Sequence, residues 1–104
     1  MTEQEFNRAV HDTLQQVEQA VEDSGADIDF ENSGDILTLE FDNGSKIILN
    51  RQGAARQLWV AARAGGFHYD WRGGRWINDQ SGAELFDELS RLVSEQAGSA
   101  IRLT

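Results

Sequence analysis

The acidic residues between positions 18 and 31 are the part of this sequence best suited to chemistry. On a helix turning about 100° per residue, His11, Gln15, Glu18 and Glu22 fall in one narrow sector. Glu18 and Glu22 form an i, i+4 pair of like charges, which weakens a helix by a few tenths of a kcal/mol. Asp23 falls near the end of the same helix, where the dipole disfavours an anion. Asp27, Asp29 and Glu31 alternate with other residues and so share one face of a strand. Unfavourable placements in two adjacent elements need compensation, and a cation bound between them would supply it. Carboxylates with at most one imidazole suit hard cations such as Fe, Mn, Ca or Mg. The candidate metal ligands are Glu18, Glu22, Asp23, Asp27, Asp29 and Glu31. On a solvated surface such a site is expected to bind weakly and with poor selectivity. The same acids could instead only solvate the helix and keep the strand edge from pairing.

Other site chemistry finds little support. There is no cysteine, so disulfides, thiolate metal sites and thiol nucleophiles are excluded. His11 and His68 are isolated in sequence, and no serine sits in a Gly-x-Ser-x-Gly elbow. No glycine-rich loop leads from a strand into a helix as a phosphate cradle requires. The protein is not expected to be an enzyme. Trp59 is a different kind of candidate. It lies among Asn50 and Gln57 in two neighbouring strands, and a tryptophan among polar groups on an exposed sheet face is a potential binding anchor. Trp71 and Trp76 are expected to pack in the core or at strand ends. His68, between Phe67 and Tyr69, is expected to be a packed or hydrogen-bonded strand residue.

The chain has 104 residues, 18 acids, 9 Lys plus Arg and a net charge of −9. That length fits one domain, residues 1–104. Residues 1–44 carry twelve of the acids and one strong base, Arg8, whereas residues 45–104 carry six acids and eight bases. Such asymmetry suggests an interaction surface that attracts cations and basic proteins and repels phosphate backbones. No nucleic-acid partner is expected. No apolar run approaches the roughly 20 residues of a membrane helix, so no membrane role is expected. The N-terminus lacks a basic stretch and an apolar run, so a cytoplasmic location is expected.

These residues must be positioned by a small set of elements. Thr2 and Glu5 form a capping box, and Phe6, Val10, Leu14, Val17 and Val21 recur at helical spacing. Gly25 ends the pattern, which predicts a helix over about 3–23. Strands are predicted over 27–31, 36–41, 46–50, 57–62, 67–72 and 75–78. Turns are expected at 32–35, at Asn43-Gly44, at Gly65-Gly66 and at Gly73-Gly74. Ser81 and Glu84 read as a second capping box before Leu85, Phe86, Leu89, Leu92 and Val93, with Gly98 closing that helix. The last six residues read as a short tail. Strands joined by tight turns imply an antiparallel meander. The predicted fold is an α+β two-layer sandwich. Its N- and C-terminal helices pack on one face of a five- to six-stranded antiparallel sheet, leaving the other face to solvent.

The stretch Asn43-Gly44-Ser45-Lys46-Ile47-Ile48-Leu49-Asn50-Arg51-Gln52 resembles the middle strands of the frataxin family. Gln57-Leu58-Trp59-Val60-Ala61, Gly65-Gly66-Phe67-His68-Tyr69-Asp70, Trp76-Ile77, Asp79 and Ser81-Gly82 extend the resemblance over nearly the whole chain. Short length and the lack of a transit peptide point to its bacterial, CyaY-type branch. The resemblance implies an iron-binding protein of iron–sulfur cluster assembly, acting as an iron-dependent regulator of the cysteine desulfurase. The alternative it carries is an iron chaperone or store that delivers iron to the cluster scaffold, with ferroxidase activity in some forms. A plain acidic interaction module without a physiological metal is the third reading. By position, the family's acidic ridge maps to Glu18, Glu22, Asp23, Asp27, Asp29 and Glu31, which would hold Fe²⁺ or Fe³⁺ weakly and accept other hard cations. The implied partners are the cysteine desulfurase and the cluster scaffold, met through Glu18, Glu22 and Asp23 and through Asn50, Gln52, Gln57 and Trp59. The implied state is a monomer, with iron-dependent oligomers as the departure from it. Two positions differ from the family pattern. Ala54 or Ala55 stands where a proline is usual, so a looser connection is expected there, and Gln19 stands where an acid is common.

Overall fold

The computed structural model describes residues 1–103. Helix α1 spans Glu3–Ser24. Thr2 accepts from the Glu5 amide while the Glu5 carboxylate accepts from the Thr2 amide, so the predicted capping box forms. This bonding holds the Glu5 carboxyl below its ordinary pKa. Gly25 closes the helix in the left-handed conformation, φ 70°, which glycine adopts without a Cβ penalty. Six strands follow: β1 Ile28–Ser33, β2 Ile36–Phe41, β3 Lys46–Gln52, β4 Gln57–Ala62, β5 Gly65–Arg72 and β6 Arg75–Asn78. They form one antiparallel sheet in sequence order, with β1 and β6 at its edges. Helix α2, Leu85–Ala97, completes the two-layer sandwich predicted from the sequence.

The core lies between the helices and one sheet face. Leu37, Leu39, Ile47, Leu49, Leu58, Val60, Tyr69 and Trp76 point inward from β2 to β6. Phe6, Val10, Leu14, Val17 and Val21 meet them from α1, and Leu85, Leu89, Leu92 and Val93 from α2. Trp76 donates from its indole to Thr13 Oγ1 at 2.8 Å, which ties β6 to α1 without leaving a polar atom unpaired.

Five local details depart from the sequence expectations. Strand β1 begins one residue later and ends two residues later than expected, because Asn32 and Ser33 pair with Leu37 and Ile36; Asp27 therefore lies outside the strand and the turn is confined to residues 34–35. The β4–β5 hairpin turns at Arg63-Ala64, not at Gly65-Gly66, because Gly65 pairs with Ala62 and Gly66 with Ala61 inside the ladder. Strand β3 runs two residues further than expected, since Arg51 and Gln52 pair with Leu58 and Gln57. The connection that follows, residues 53–56, is a short turn closed by an Arg56 amide to Gly53 carbonyl bond. Ser81 does not cap α2. Asn78 Oδ1 accepts from the Gln80 and Ser81 amides and folds that segment into a turn, while Glu84 bridges to Ile77 in extended geometry. Glu84 is therefore the cap, and its carboxylate accepts from the Phe86 and Asp87 amides. Finally, residues 99–103 are packed rather than a free tail, and Thr104 lies outside the described residues. Ile101 exchanges two hydrogen bonds with Ser94, the Leu103 amide donates to Ser90 Oγ, and Leu103 is buried.

Candidate functional site

Two surfaces carry the candidate residues. The first follows the open edge of the sheet. Strand β1 has no neighbour on its outer side. Asp29 and Glu31 are exposed on it and stand opposite Glu40 and Thr38 of β2. Glu18 reaches this strand from α1, where its carboxylate accepts from Asn32 Nδ2 at 2.7 Å. Glu22 and Asp23 are exposed one turn further along α1, and Asp27 is exposed in the short link to β1. The Asp27 link faces Asp42 across a cleft where both helices end, and neither helix carries a base in its last turn. The six candidate ligands thus lie along one rim of the molecule.

The chain supplies two neutral donors to this crowded rim. Asn32 takes up Glu18, and Gln19 donates to Asp23 Oδ1 at 2.9 Å. Gln19 thereby turns what an acid would make a repulsion into an attraction. These amides supply part of the compensation that a bound cation would otherwise provide. None of the six rim acids makes an ion pair among the described residues, although Lys46 of β3 stands beside Glu40, the ladder partner of Asp29. The ion pairs among the described residues are Arg72–Asp70, Arg91–Glu88 and Arg91–Glu95, all on β5 or α2 and away from the rim. Nor do three Asp, Glu or His side chains converge as a ready-made metal site among the described residues. His11 is exposed on α1 and makes no hydrogen bond among them.

The second surface is the sheet face turned away from the helices. Asn50 of β3, Trp59 of β4 and His68 of β5 stand side by side in register, and Ile36 of β2 extends the row, 42% exposed. Gln52 and Gln57 are opposite one another in the next row. Trp59 and His68 are stacked, ring centroids 4.2 Å apart and planes 14° apart. The Trp59 indole donates to Gln57 Oε1 at 2.9 Å. The four residues expected on this face, Asn50, Gln52, Gln57 and Trp59, are brought together, all half-buried. The stack of His68 on Trp59 was missed. It follows from the two-residue turn at 63–64, which sets residue 68 opposite 59, whereas a turn at Gly65-Gly66 would not. Trp76 is in the core, and Trp71 packs edge-on against it at 5.0 Å, as expected of strand-end aromatics.

The frataxin-like domain family model matches residues 1–99 of this chain. The chain belongs to the frataxin family. A relative from Azotobacter vinelandii, named iron-sulfur cluster assembly protein CyaY, is 48% identical over 103 residues, 97% of this chain and 94% of its own. A Vibrio vulnificus protein of the same name is 41% identical over 101 residues, covering 97% of each chain. Among solved structures, frataxin from Psychromonas ingrahamii superposes with a TM-score of 0.93 at 39% identity, over 100% of this chain and 99% of that one. A trimeric frataxin from Saccharomyces cerevisiae, complexed with ferrous iron, gives 0.76 at 25% identity over 88% and 87% of the two chains. No described helix is long and apolar enough to cross a membrane.

Proposed function

We propose that this protein acts in iron–sulfur cluster assembly by binding iron weakly on the β1–α1 rim and presenting that rim to the cysteine desulfurase. The observation that carries the reading is the rim itself: Glu18, Glu22, Asp23, Asp27, Asp29 and Glu31 on one edge, none of them in an ion pair among the described residues. An uncompensated negative field of this kind draws both metal cations and basic protein surfaces. Because no three ligands converge, an ion held there keeps much of its water and is exchanged readily. That suits an ion carried as cargo or sensed, rather than one locked in as a structural part. Iron and the desulfurase then compete for the same carboxylates, so iron loading tunes the protein contact. The outer sheet face, with Asn50, Gln52 and Trp59, is a separate docking surface for the cluster scaffold. A half-buried tryptophan flanked by amides has the composition of a binding hot spot.

The test is an anaerobic amide NMR titration with Fe²⁺, with Ca²⁺ as a second hard cation. Signals from residues about 18–31 should broaden or shift first, and the effect should vanish when Asp27, Asp29 and Glu31 are replaced by their amides. Even, shallow shifts over the whole surface would leave the acids as solvation only. The second reading, delivery of iron with its oxidation, predicts iron-dependent oxygen consumption by the isolated protein.

A further inference from the structure

We propose that His68 and Gln57 are positioning residues that hold Trp59 as a preorganised anchor on the outer sheet face. The inference rests on the reading of that face as a docking surface and adds how its central side chain is fixed. Trp59 and His68 are direct partners in the β4–β5 ladder, so their side chains leave the sheet side by side. The imidazole lies nearly parallel to the indole, 4.2 Å between centroids and 14° between planes. One face of the indole is therefore covered by an aromatic ring, which restricts rotation about both side-chain torsions.

The indole edge is held as well. Its N–H donates to Gln57 Oε1 at 2.9 Å. Gln57 is itself clamped, because Nε2 donates to Asp70 Oδ1 and to Asp79 Oδ2, each at 3.0 Å. Two carboxylates can only accept, so both amide hydrogens must face them and the amide oxygen must face the indole. The carboxamide has one chemically sensible orientation, and both its hydrogens are spent inside the protein. Gln57 thus acts through Trp59 rather than by offering its amide hydrogens to a partner. The second carboxylate comes from the turn after β6, so the clamp spans β4, β5 and the β6–α2 connection.

A side chain already fixed in one rotamer loses less freedom when a partner covers it. A rigid aromatic presented this way binds with a slower off-rate than the same ring left free to turn.

The experiment uses the full chain labelled with ¹⁵N, together with the purified cluster scaffold protein. The Trp59 indole N–H signal is assigned with Trp59→Phe, and its fast relaxation is compared in the parent, His68→Ala and His68→Phe. The parent indole should be as rigid as the strand backbone. His68→Ala should mobilise it and weaken scaffold binding several-fold, and His68→Phe, which restores a flat ring, should recover both. An indole equally rigid in His68→Ala would overturn the proposal, and so would a mobilised indole with unchanged scaffold affinity where Trp59→Ala abolishes binding. Failure of His68→Phe to rescue affinity despite a rigid indole would make His68 a direct contact instead. If Trp59→Ala leaves scaffold affinity unchanged, the docking reading fails and Trp59 is no anchor. The relaxation data still show whether His68 holds the indole.

Discussion

Glu88 is a buried carboxylate on α2, and three side chains converge on it. The Tyr69 phenol and the Asn78 amide both donate to one of its oxygens, and Arg91 approaches the other at 3.5 Å. Burial first, and then the bond to Glu88 and its charge, push the Tyr69 pKa far above its ordinary value of 10. Unfolding restores the ordinary value, so above about pH 10 the unfolded chain sheds a proton that the folded chain keeps. Tyr69 therefore contributes its full stability below about pH 10, and that contribution falls as pH rises further. Tyr69→Phe should cost about 1–3 kcal/mol near neutral pH, because a buried carboxylate loses a donor. It should also flatten the alkaline decline, as urea melts at neutral pH and near pH 11 would show. An equally steep decline in Tyr69→Phe would place its origin elsewhere. On the rim the balance is reversed. The Glu22 side chain has no hydrogen bond or ion pair among the described residues, and it stands one turn from Glu18. Glu22→Gln should stabilise the metal-free protein by a few tenths of a kcal/mol, and a lower melting midpoint would contradict the crowding argument.

Helix α2 is positioned by the segment that continues the chain past it. Beyond Gly98, the C-terminal segment folds back along α2, with Ile101 bonded to Ser94 and Leu103 seated beside Gln16, Ala20 and Phe86. Leu103→Ala should therefore lower stability by about 2 kcal/mol in urea melts, toward the low end for buried leucines because a chain end can settle into the gap. No loss would mean that the segment lies loosely on the helices. The last six residues show no period in the sequence, so only three-dimensional contact with Ser90 and Ser94 reveals the packing of this segment. Periodicity made both helices and all six strands legible, since one apolar face per element leaves few arrangements. Turn positions were less legible. Gly65-Gly66 has turn composition, yet ladder pairing with Ala61 and Ala62 claims both glycines. Likewise Ser81-x-x-Glu84 has the spacing of a capping box, but Asn78 Oδ1 first ties the Gln80 and Ser81 amides into a turn. The acids of the rim were legible from charge pattern alone. Their amide partners Asn32 and Gln19 were not, because a carboxylate–amide bond leaves no trace in net charge.

At the scale of the whole molecule the two surfaces differ in kind, and salt should separate them. The rim around β1 is charged and exposed, whereas the outer sheet face is built from Asn50, Trp59, His68 and Ile36. Twelve of the 18 acids precede residue 45, and six of those twelve are the rim carboxylates. Screening shortens the reach of exposed charges from roughly 30 Å at 0.01 M ionic strength to about 3 Å at 1 M. An encounter steered by the rim must slow steeply over that range, while contact through the sheet face, which depends on burying an aromatic ring, should change little. Association with the desulfurase should accordingly weaken by at least an order of magnitude between those salt limits, mainly through the on-rate. Replacing Asp27, Asp29 and Glu31 together by Asn, Asn and Gln should lower the low-salt affinity and flatten its salt dependence. Scaffold affinity should stay at the parental level. Stopped-flow or surface-binding measurements across salt concentrations with each partner would check this. Unchanged desulfurase affinity of the triple variant at low salt would remove the rim from the interface. A parallel salt dependence for both partners would mean that one surface serves both.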